Sequence, residues 1–161
     1  MTRSIALYTY TSVFIVFSLA WVLFFLKKTS LSKFAGYLGC FLCGTGILFM
    51  IILEKRPPLF GPFESTIYIV FILSFLFLLP KHALLSDLPK DNIPGLTYSI
   101  ILLMLLLQTI RISPLTFDKD FYMYDVLKVL VFFNFRIIAT ALFIYAAIII
   151  NSYFLGKTLM K

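Results

Sequence analysis

Charge is scarce in this chain. Asp, Glu, Lys and Arg together make 13% of its 161 residues, where soluble domains carry about 25%. Histidine occurs once, at His82, and tryptophan once, at Trp21. One histidine leaves no His-rich metal centre and no histidine-based proton relay to build from. Two cysteines cannot form a disulfide framework. No Ser/His/Asp or Cys/His set, phosphate-binding loop or closed metal-ligand set is legible. No catalytic residue and no metal ligand is therefore assigned, and a self-sufficient enzyme is not expected.

What the chain has instead is hydrocarbon. Sixty-one per cent of it is hydrophobic, with 19 Phe and 9 Tyr, more apolar surface than a soluble core of this length could bury. The class this implies is an all-α integral membrane protein, a bundle of about five transmembrane helices forming a single membrane domain over residues 1–161. The net charge of +7 would suggest nucleic acid in a soluble protein. Here Lys and Arg gather at the ends of apolar runs, so the charge marks topology. Membrane lipid, not nucleic acid, is the expected partner.

The spans read as approximately 5–26, 34–53, 64–80, 96–110 and 122–155. The first is too long for a secretory apolar region and lacks a small-residue cleavage site, so it reads as a retained helix. The polar, proline-broken stretch KHALLSDLPKDNIPG is a loop. The last apolar run exceeds one perpendicular crossing and contains Asp125 and Lys128; it should start outside the bilayer and enter near Phe132. Cations number five in the first, third and fifth hydrophilic segments (Arg3, Lys55, Arg56, Arg111, Lys119). The alternate segments hold seven (Lys27, Lys28, Lys33, Lys81, Lys90, Lys157, Lys161). The positive-inside rule then places the N-terminus outside and the C-terminus in the cytoplasm.

Four features invite a functional reading beside a bland one. The connector EKRPPLFGPFESTIYIVF carries Pro57, Pro58, Gly61 and Pro62 and then Glu64 at the mouth of an apolar run. It is either a rigid connector with a helix-capping acid or an external ledge (Arg56, Pro57, Pro58, Gly61, Pro62, Phe63, Glu64, Ser65) shaped for a partner. Cys40 and Cys43 form C-x-x-C inside an apolar helix. With Gly36 and Gly44 they make a small-residue packing face, or else a redox or haem-thiolate pair. His82, at a span end, is an interfacial histidine or a single axial ligand. Arg136 lies within the fifth span, where an unpartnered cation costs about 2.5–3.5 kcal/mol. It either snorkels to the interface or pairs with Glu64 or a ligand carboxylate, beside Tyr122, Tyr124 and Asp125.

The segment RPPLFGPFESTIYIVFIL resembles one in CcsA-type cytochrome c synthases, the haem-handling proteins of system II cytochrome c maturation. There a Gly/Arg-x-Pro loop leads into Asn-x-Tyr-Glu-Ser and an apolar helix. Arg56, Pro57 and Pro58 match the first part. Phe63, Glu64 and Ser65 match Tyr-Glu-Ser with Phe for Tyr, and Gly61 stands in the Asn position. The order of elements is similar too: two helices, this loop, two more helices, a short loop RISPLTF, then a long fifth helix. The departures are the family's tryptophan-rich haem motif, absent here, and its two helix histidines. Their positions fall near Cys43 or Gly44 and near Tyr124 or Asp125.

The resemblance implies a membrane subunit related to cytochrome c biogenesis, in a bacterial cytoplasmic membrane. Haem is the implied cofactor, touched by His82, Arg136 and Glu64, and a partner subunit would supply the tryptophan-rich motif. The alternative is a haem-free structural subunit that keeps only the scaffold; a small-molecule transporter is a weaker third. A Glu64–Arg136 pair would make losses at the two positions non-additive.

Overall fold

The computed structural model describes residues 2–54, 62–78, 93–110 and 127–159. Five helices cover them: α1 (Thr2–Phe25), α2 (Thr29–Glu54), α3 (Pro62–Leu78), α4 (Ile93–Ile110) and α5 (Leu127–Leu159). No strand occurs among the described residues. Three stretches, Leu7–Phe25, Thr29–Leu53 and Leu127–Phe154, are long and apolar enough to cross a membrane. The apolar parts of α3 and α4, Glu64–Phe77 and Ile93–Gln108, are shorter.

Several boundaries differ from the hydropathy reading, each for a local chemical reason. α2 starts at Thr29, not near residue 34, because a tight turn ends α1 and the Ser32 N–H already bonds the Lys28 carbonyl at 2.9 Å. α3 opens with Pro62, a position where the missing N–H would have no helical acceptor anyway. Glu64 sits in that first turn, where an acid complements the helix dipole. α4 takes in Ile93, Pro94 and Gly95, which the sequence reading assigned to the loop. Proline is tolerated in a first helical turn, and the absent side chain at Gly95 lets the Phe24 ring of α1 lie against the helix.

The turn between α1 and α2 is the sharpest local feature. The Lys28 N–H reaches back to the Leu23 carbonyl at 3.0 Å and the Lys27 N–H to the Phe24 carbonyl at 3.0 Å, the paired bonds of a Schellman motif. Its left-handed position is filled by Lys27, with φ of 58°, where glycine is the usual residue. A side chain there costs roughly 1–2 kcal/mol.

α1 runs antiparallel to α2, with Gly39 at Phe17 and Gly46 at Thr9, and antiparallel to α4, with Tyr10 at Leu105 and Trp21 at Ser99. α2 packs on α1 and α3; α4 packs on α1 and α3; α5 lies against α3 and more lightly against α4. The core runs between the first four helices and includes Tyr10, Val13, Phe17, Cys43, Ile67, Val70, Tyr98 and Ile101. α2 makes its close approaches through glycine. A side chain at Gly39 would begin 2.8 Å from the Phe17 ring of α1, and one at Gly36 would begin 2.6 Å from the Tyr98 hydroxyl of α4.

Polar side chains tie the same helices together. Tyr10 donates to the Leu105 carbonyl. At the opposite end the Trp21 indole donates to Ser99 at 2.8 Å, Ser32 to the Ala20 carbonyl at 2.8 Å, and Tyr98 to the Ser32 carbonyl at 3.1 Å. In an apolar surrounding such bonds add modestly, about 0.6 kcal/mol on average. Their larger effect is on register, since each joins one carbonyl or hydroxyl of a neighbouring helix.

Candidate functional site

The residues singled out for chemistry fall in three places. Arg56, Pro57, Pro58, Gly61, His82, Tyr122, Tyr124 and Asp125 lie outside the described residues, and Pro62 and Phe63 are described as helix backbone only. Glu64, Ser65 and Arg136 are on α3 and α5, which pack against each other. Gly36, Cys40, Cys43 and Gly44 are on α2.

Glu64 is buried, 4% exposed, and has partners of its own. One turn further along α3, the Tyr68 hydroxyl donates to Asn134 Oδ1 of α5 at 3.5 Å. The Asn134 amide donates in turn to the Leu130 carbonyl at 3.0 Å, which keeps it from being an orphan in an apolar helix. Level with Tyr68, Asn134 stands about 6 Å beyond Glu64 along the helix axis. Arg136 is two residues further along α5 and exposed. Its guanidinium carbon lies 4.5 Å from the centre of the Phe133 ring. Helical side chains lean toward the N-terminus, so this cation–π contact carries the charge back toward the start of α5. The described contacts of Arg136 do not include Glu64. Asn134 joins α5 to α3 at this height, a contact that charge-based reading of the sequence passed over.

Beside this end, α2 and α3 leave a groove of about 710 Å³. Tyr37, Cys40, Phe41, Gly44, Tyr68, Phe71 and Phe75 are among the residues that line it. Gly44 makes room for Phe71, whose ring lies 3.0 Å from where a side chain would begin. Cys40 is 8% exposed at the groove wall, whereas Cys43 is wholly buried in the core. Both thiols are free. Gly36 meets Tyr98 of α4, while Cys40 and Gly44 both line the groove between α2 and α3. The glycines that meet α1 are Gly39 and Gly46, the latter against Thr9. Their spacing of seven residues was a readable signal of one helix face.

Haem asks two things of such a site, space and donors. The groove has the space and lies where the resemblance places the second-helix histidine. The polar groups of its lining are the Cys40 thiol, the Tyr37 and Tyr68 phenols and the Thr45 hydroxyl, with no imidazole. No cluster of three or more His, Cys, Asp or Glu side chains occurs among the described residues. The donor set does not fit a bis-histidine haem. Every buried side-chain nitrogen and oxygen among the described residues already has a hydrogen-bond partner. What the surface can do is receive apolar or amphipathic chains and another helix.

No protein-family model matches the chain, and neither a curated protein nor a solved structure matches it.

Proposed function

We propose that the chain is an integral membrane protein whose five helices all span the bilayer, and that it serves as a haem-free scaffold subunit of a larger membrane complex. The observation that carries this is α5. Only 17% of the residues in its most apolar window are buried, against 22% in α1 and 39% in α2, yet α5 holds the exposed polar residues Arg136, Thr140 and Asn151. Thr140 and Asn151 turn back onto the carbonyls of Arg136 and Ala147, each at 2.8 Å. Among the described residues Arg136 has no comparable local acceptor, and a cation facing lipid is costly unless it reaches the interface or a partner. A second subunit laid along this face supplies that partner. The exposed Phe, Leu and Ile side chains on every helix favour lipid around the rest of the bundle. The cation excess favours an external N-terminus and a cytoplasmic C-terminus.

Descent from a CcsA-type scaffold remains part of the proposal, carried by the segment from Arg56 to Ser65. A haem-handling role rests on that segment and on His82. One experiment separates the two roles: gentle detergent purification through a C-terminal tag, with a visible spectrum and identification of co-purifying chains. The expected result is a colourless complex with stoichiometric membrane partners that Arg136→Gln weakens. A Soret band together with a tryptophan-rich partner would replace the scaffold reading with haem handling. Recovery of the chain alone would remove both.

A further inference from the structure

The turn between α1 and α2 combines two independent features. Lys27, Lys28 and Lys33 fall within seven consecutive residues, and all three are exposed. The described acids, Glu54 and Glu64, belong to the other end of the bundle; Asp87 and Asp91 of the α3–α4 connection lie outside the described residues. The second feature is conformational. Lys27 occupies the left-handed position of the Schellman turn, a place that glycine fills without strain and lysine does not. A side chain is kept here against the backbone's preference, and it is a cation.

Exposed apolar side chains stand beside the lysines in the same turn. Phe25, Leu26, Leu31 and Phe34 are each more than half exposed. Trp21 packs edge-on against Phe25, with ring centres 4.6 Å apart. A soluble anion has no use for that hydrocarbon. A phospholipid matches both parts, with its phosphate at the ammonium groups and its acyl chains along the rings. We propose that this turn is a binding surface for anionic phospholipid headgroups, held in place by the left-handed Lys27. It rests on the membrane reading above and does not depend on the scaffold role. Attraction of the lysines to the α1 C-terminal dipole would also favour them, but that effect is indifferent to lipid charge.

The test reconstitutes the full chain into vesicles of phosphatidylcholine alone and of an equimolar mixture with phosphatidylglycerol. Flotation reports insertion, and mass spectrometry counts the lipids retained after detergent extraction. The expected result is flotation with both vesicles and an excess of retained phosphatidylglycerol. Each of Lys27→Gln, Lys28→Gln and Lys33→Gln should reduce that excess about fivefold. Lys27→Gly keeps the turn without strain and should lose the same share, so misfolding cannot explain the effect. Flotation without any phosphatidylglycerol excess overturns the inference and leaves the membrane reading standing. So does an excess unchanged in the variants, or one abolished by added inorganic phosphate at constant ionic strength. No flotation with either vesicle overturns both.

Discussion

At the scale of single residues, two positions show backbone geometry setting the choice of side chain. Lys27 holds φ of 58°. Replacing it by glycine removes the left-handed penalty but gives the unfolded chain more freedom, for a net gain of about 0.5–1 kcal/mol. The expected outcome is a higher unfolding temperature for Lys27→Gly in neutral detergent; a fall would mean that the lysine side chain itself holds the turn. Gly39 is the opposite case. Its approach to Phe17 leaves 2.8 Å for a first side-chain carbon. Gly39→Leu must part α1 from α2, at a cost of about 1–3 kcal/mol or more. A loss of thermal stability in detergent checks it, with the exposed Phe41→Leu as the control that should change little.

At the scale of elements, the contact between α3 and α5 is where charge and structure part company. A buried acid and an arginine within an apolar helix suggest a pair, but Glu64 is enclosed at the head of α3 while Arg136 lies exposed over Phe133. One pair of side chains that does meet at the helix interface is Tyr68 and Asn134. Glu64→Gln should therefore lower the stability of the isolated chain by about 1–3 kcal/mol, as loss of a buried, partnered acid does. Arg136→Gln should leave that stability nearly unchanged and act on partner retention. The double variant should be additive in unfolding within about 0.5 kcal/mol; a larger coupling energy would restore the direct pair.

At the scale of the whole molecule, the apolar exterior decides behaviour. The exposed large hydrophobics are spread along all the helices, including Phe143 of α5 at 77%. A protein held to membranes by its lysines alone would wash off in high salt. One that spans them would not. The chain is expected to stay with the membrane pellet through both high-salt and alkaline washes, and to be released by detergent; release by salt would defeat the spanning reading.

Composition and hydropathy alone determined that this chain is helical, that it has five apolar segments, and that its cations sit mainly between them. These follow from a property each residue carries by itself, its transfer free energy between water and hydrocarbon. That property is nearly uniform along an apolar helix, so it says where a helix lies and not which side faces a neighbour. The tertiary structure decided the rest. Gly39 and Gly46 meet α1 while Gly36 meets Tyr98, Ile93 to Gly95 join α4, and Asn134 finds Tyr68. Each depends on shape and on paired hydrogen bonds between segments far apart in the chain. For Lys27 the sequence shows only a charge at a span end; its left-handed backbone exists only once α1 has to turn back onto α2.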